Sequence, residues 1–196
     1  QRLINLDRQA SGVLSAAYAD VQQELQRQIV RFEEAMADRI ANGQEITESW
    51  AKGHQRYKEL LDQTNIQMTR YAGVTGQVVD AAQQASIRAT LEESSRLLDI
   101  AGVDRSVITQ ASWANISDRS IQNMAGALQS SSPLGEIFDS YGQDAVQDVN
   151  RALTRGVALG QGPRKIASEI QSATNITRAR SEMIARTETM RASREA

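Results

Sequence analysis

Three features of the 196-residue chain predict an all-α fold. Hydrophobic residues make up 40% of it but aromatics only 4%, so the core must be built from Ala, Leu, Ile, Val and Met. Such residues suit close helix–helix contacts better than a sheet, which favours β-branched and aromatic side chains. Only two prolines occur, so little interrupts long helices. Apolar residues recur at steps of three and four through most of the chain, and no strand-like alternation of any length appears. The expected architecture is an elongated long-helix hairpin followed by a compact bundle of shorter helices.

The first helix is expected from Leu3 to Asn42. Leu14, Tyr18, Val21, Leu25, Ile29, Phe32, Met36 and Ile40 recur at helical spacing without a break, and only Gly12 weakens the run. Asn42-Gly43 supplies a C-terminal stop. A second helix restarts with Thr47 as its cap, placing Trp50, His54, Tyr57, Leu61, Thr64, Met68 and Tyr71 on one face. Gly73 and Gly76 either break or kink this helix or admit a close neighbour. The pattern resumes with Val78, Val79, Ala82, Ile87, Leu91, Leu97, Leu98 and Ala101 and stops at Gly102. Residues 3–101 therefore predict two antiparallel helices, the second covering the stripe of the first.

From Val103 to Gly135 charges thin out and Ser, Asn and Gln rise. Short helices are expected over Arg105–Gln110, Ala114–Gln129 and Leu134–Tyr141. Ser130–Pro133 forms a loop, and Trp113 anchors the segment. Asp144–Leu159 is again helical, with Val146, Val149, Leu153, Gly156 and Val157 inward. Gly160-Gln161-Gly162-Pro163 punctuates two helices, Gly past one end and Pro in the next first turn. A helix over Pro163–Ser172 follows, then a turn at Ala173–Ile176. A last helix runs from Thr177 to Ala196, capped by Asn175 or Thr177, with Met183, Ile184, Thr187 and Met190 as its apolar stripe. Three segments result: 1–102, 103–143 and 144–196.

The net charge of −2 hides an asymmetry. Residues 1–150 hold 13 Lys and Arg against 20 Asp and Glu, a net of −7. Residues 151–196 hold 9 against 4, a net of +5. The basic end either meets phosphates or an acidic partner, or is simply a charged helix surface. Arg164, Lys165, Arg180, Arg191 and Arg194 are the candidate contacts. There is no cysteine, which excludes disulfides and thiolate metal sites. No apolar run approaches the ~18 residues of a membrane span.

No catalytic constellation is visible. The single histidine, His54, has no triad or metal partner in the sequence and reads as packed or surface-exposed. Gly160-Gln161-Gly162 fails both phosphate-loop patterns, because Lys165 stands at the third glycine position and no Gly-Lys-Ser/Thr follows. The adjacent acids Glu33-Glu34 and Glu92-Glu93 diverge on a helix and form no paired site. A non-enzyme without cofactor, metal or small-molecule substrate is expected.

The residues Ala152-Leu153, Arg155-Gly156, Leu159-Gly160, Gly162, Ile166-Ala167, Ile170, Arg178-Ala179, Ile184-Ala185-Arg186-Thr187-Glu188 and Ala192 carry a resemblance. In order and spacing this run, over about residues 145–196, resembles the phage Mu F-like minor head proteins, the head morphogenesis family of tailed bacteriophages and prophages. The resemblance implies a structural virion protein inside the head at the portal vertex, acting in head assembly and in DNA packaging or ejection. It implies the portal protein as partner, with the major capsid or scaffolding protein and phage double-stranded DNA as further candidates, and no membrane. Gly156, Gly160, Gly162, Arg178, Ile184, Ala185, Arg186, Thr187 and Glu188 would be structural motif residues.

Family members usually continue into a segment with a Trp, a Cys pair and a His-Pro-x-Cys stretch, absent here. The expectation is a domain whose C-terminal half is missing or disordered, in a chain that was processed or cut from a longer product. Arg186 and Glu188 point about 200° apart on a helix and should reach different elements. Arg186 is expected at the Gly160–Pro163 turn. Glu188 is expected at Arg191 or at the absent half, and Arg178 near a helix start. Two alternatives stand beside this reading: the carrier module of a phage-derived toxin or effector, and a bacterial helical adaptor.

Overall fold

The structure, a computed structural model, describes residues 2–102, 117, 120–121 and 133–195. Among these residues the fold is all-α, with long N-terminal helices and no strand. Its helices are α1 (Arg2–Ala41), α2 (Glu48–Gly53), α3 (Gln55–Ile100), α4 (Pro133–Ala158) and α5 (Pro163–Glu195). The helices expected over Arg105–Gln110 and Ala114–Gln129, and the Trp113 anchor, lie outside the described residues.

The stripe of α1 is buried from Leu14 through Tyr18, Val21, Leu25, Ile29 and Phe32 to Met36; Ile40 is exposed. The helix ends where Gly43 takes φ +72°, a left-handed conformation that favours glycine. Thr47 caps α2, its hydroxyl oxygen accepting the Trp50 N–H at 3.3 Å. The single helix expected from here on is instead broken at His54, whose backbone is extended at φ −72°, ψ 135°. Local bonds stabilise the break. His54 Nδ1 accepts the Arg56 N–H, and its carbonyl accepts those of Tyr57 and Lys58. The ring packs 5.0 Å from Trp50. Leu60, rather than Leu61, is then the fully buried leucine of this turn.

α3 runs unbroken past Gly73 and Gly76. Two further boundaries differ from the expected ones. Leu134–Tyr141 and Asp144–Leu159 are one helix, α4. The expected turn at Ala173–Ile176 is the middle of α5. That stretch contains no Gly or Pro, and Thr174 is buried with its hydroxyl returned to the Gln171 carbonyl at 2.8 Å. Its own carbonyl accepts the Tyr18 hydroxyl at 2.8 Å. Asn175 and Thr177 are therefore helix interior, not caps.

The chain divides into two compact units that do not follow chain order. The first comprises Gln1–Leu14, Thr75–Glu136 and Ser181–Ala196; the second comprises Ser15–Val74 and Ile137–Arg180. The second has a large core: Ile29, Phe32, Met36, Ala51, Tyr57, Leu60, Val149, Leu153, Ile166, Ala167 and Ile170. Each fully buried large side chain of this kind contributes about 1.5–3 kcal/mol. α1 and α3 run antiparallel there. Phe32 meets Tyr57 while Tyr18 meets Tyr71. Tyr57 donates to Asn150 at 2.8 Å, and Tyr18 reaches Thr174. The first unit has a smaller apolar cluster, Ile87, Ile121 and Ala192 with Leu91.

Candidate functional site

The motif residues lie in α4, α5 and the turn between them. In the second unit, Gly156 is buried, and a Cβ there would stand 2.8 Å from Ile166 Cγ1. Only a bare backbone lets α5 start so close to α4. Gly160 takes φ +63°, and the amide of Gln161 bonds back to the Gly156 carbonyl at 2.9 Å. Gly162 needs no glycine on either ground: its φ is not in the left-handed region and nothing lies within 4 Å of a Cβ. Arg178 is half-buried in the helix interior, where it donates to Ser15 Oγ on α1 at 3.3 Å.

In the first unit, Ala185 is buried with Ser181, Thr189 and Ala192. This small, partly polar face of α5 replaces the expected stripe: Met183 and Met190 are 62% and 45% exposed, and Thr187 is exposed. Polar side chains complete the contact with α3. Ser86 Oγ donates to the Thr189 carbonyl at 3.0 Å, Gln83 Nε2 to Glu188 at 3.0 Å, and Thr90 Oγ1 to Ser193 Oγ at 3.4 Å. A seam held by Ser, Thr and Ala has no 3.6-period apolar signal, so the sequence pointed to the methionines instead. Ile184 is half-buried.

Arg186 does not reach the Gly160–Pro163 turn. Its Nε lies 3.3 Å from both carboxylate oxygens of Asp7 on α1. Glu188 reaches α3 through Gln83 and stands 4.0 Å from Arg191. Arg186 and Glu188 thus address two different helices.

Among the candidate cations, Lys165 pairs with Glu169 at 3.9 Å. Arg180 stands 3.7 Å from Asp144 and over the Tyr141 ring. Arg191 faces Glu188, while Arg164 and Arg194 are exposed. Sequence reasoning missed Asp7, Ser15, Gln83 and Gly142. A Cβ on Gly142 would stand 2.4 Å from Asn65 Oδ1 and 3.0 Å from the Asn65 carbonyl, so α4 meets α3 backbone to backbone there.

An apolar groove of about 280 Å³ lies in the first unit between α1 and α3, lined by Leu6, Ala10, Val13, Val78, Ala82 and Ala85 with flanking Gln9 and Ala81. None of these side chains titrates, so the groove offers apolar contact rather than acid–base chemistry. Among the described residues no group of three or more His, Asp or Glu could hold a metal ion. No described helix is long and apolar enough to cross a membrane.

The perturbed titrating groups are structural. Burial pushes the Tyr18 and Tyr57 phenols up. Hydrogen bonds from Lys52 and Thr154 hold the Glu48 carboxyl down. Comparison with protein-family models, with curated proteins and with solved structures gives no match for this chain.

Proposed function

We propose that this chain is a structural minor head protein of a tailed bacteriophage or prophage, located inside the head at the portal vertex and not an enzyme. The observation that carries this reading is the order and spacing of the residues from Ala152 to Ala192, ending in Ile184-Ala185-Arg186-Thr187-Glu188. What those side chains do supports it. Gly156 brings two helices close, Ala185 packs inward, and Arg178, Arg186 and Glu188 tie α5 to α1 and α3. Such contacts give the motif residues a role in holding helices together rather than in chemistry, which fits a structural protein.

The proposed partner is the portal protein encoded with the chain, with the major capsid or scaffolding protein as a further candidate. DNA contact is secondary, because Lys165 and Arg180 already face carboxylates. It would show as affinity falling steeply with salt.

Co-expression with that portal protein tests the reading. The two should co-elute as one complex in size-exclusion chromatography. Separate elution of two folded proteins would refute portal association.

A further inference from the structure

The outer face of α1 and α5 in the first unit joins exposed apolar side chains to exposed arginines. Met183, Thr187, Met190 and Arg194 follow one another at steps of four, three and four, so they form one ridge along α5. All four are exposed, and they lie opposite the buried Ser181, Ala185 and Ala192. The Arg186–Asp7 pair fixes the register of this ridge against α1. The two helices are antiparallel, so Ile4, three residues before Asp7, comes level with Met190, four after Arg186. Ile4 is 53% exposed.

The charges at this face are sorted by depth. The side chains of Arg186 and Arg191 are each 64% exposed, and Arg194 is exposed as well. The acids that pair with Arg186 and Arg191 are less exposed than the arginines. Asp7 is 28% exposed against Arg186, and Glu188 is 12% exposed against Gln83. A partner therefore meets the outer edges of three guanidinium groups, two of them paired on their inner side with Asp7 and Glu188, around three exposed apolar side chains.

We propose that this face is a docking surface for an acidic amphipathic helix of another protein. Apolar residues of that helix at i, i+3 or i+4 and i+7 would lie on Met183, Met190 and Ile4, and its flanking carboxylates would meet Arg186, Arg191 and Arg194. Methionine suits such a surface, because its unbranched thioether adapts to the side chain it receives. A second copy docking through the same face would oppose arginines to arginines, which disfavours self-association. Duplex DNA would satisfy the cations but leave the methionines and Ile4 without apolar partners. The surface stands on its own geometry, whether or not the chain belongs to a phage head.

Selection from a helix-biased peptide display library against the full chain tests this. The enriched peptides should be acid-rich with apolar residues at helical spacing. Their affinity should fall at least tenfold for the double variant Met183→Ser, Met190→Ser, and also for Arg191→Glu, Arg194→Glu. Met183 and Met190 are exposed, so the methionine variant should melt like the parent, while Arg191→Glu, Arg194→Glu, which gives up the pair with Glu188, should still melt cooperatively within a few degrees of it; this separates lost binding from lost folding. Enrichment of basic peptides, enrichment that survives both double variants, or no enrichment at all would overturn the proposal. So would a 20-base-pair duplex that binds more tightly than any peptide and is indifferent to the methionine changes.

Discussion

Gly160 and Gly162 look equivalent as letters and are not equivalent as backbone. Gly160 sits at φ +63°, where an L side chain costs roughly 1–2 kcal/mol. Gly160→Ala should lower stability by about 1 kcal/mol in chemical denaturation, while Gly162→Ser, which keeps a good capping residue before Pro163, should change it by less than about 0.5 kcal/mol. Arg186 carries a related lesson. Its pair with Asp7 is solvent-exposed, and such pairs contribute roughly 0–1 kcal/mol. Arg186→Ala should therefore melt within a few degrees of the parent, and the difference should shrink in high salt. The two-residue offset of Arg186 and Glu188 was readable as divergence on a helix. Which helix each would reach was not, because Asp7 and Gln83 are distant in sequence and lie in no motif.

At the scale of elements, the strongest periodic signals located the helices, and weak punctuation misplaced their ends. Seven of the eight stripe positions named in α1 are buried, since one unbroken 3.6-residue period leaves little choice of face. The turn expected at Ala173–Ile176 rested on Thr and Asn, which favour caps and turns when nothing else holds them. Here the Tyr18 hydroxyl and the buried Thr174 hold the segment helical. The break at His54 was equally hidden, because it depends on a ring packing against Trp50. Gly142 was silent in the sequence for the same reason: its meaning is the proximity of Asn65 and Thr69. Gly142→Ala should push α4 off α3, with a loss of about 1–3 kcal/mol in denaturant unfolding. That loss should exceed the one at Gly160, although Gly142 has an ordinary helical backbone.

At the scale of the molecule, the class of fold was legible from composition and period, but the partition into units was not. Both units draw on helix from before residue 103 and after residue 132, so long-range contacts that no local pattern encodes define them. Tyr18 and Tyr57 give the second unit a pH signature. Burial raises both phenols above their ordinary value, while unfolded phenols ionise near pH 10. Their contribution is therefore whole below about pH 10 and is lost as pH rises through the higher folded values. The melting temperature should fall above about pH 10, and Tyr57→Phe should make that fall shallower.

The most direct test of the head-protein reading is a protease-protection measurement on purified heads made by the genome that encodes this chain. The chain should be detected in intact, DNA-filled heads, resist added protease there, and become digestible once the heads are opened. Its absence from the heads, or its digestion while they remain intact, would contradict a place inside the head at the portal vertex.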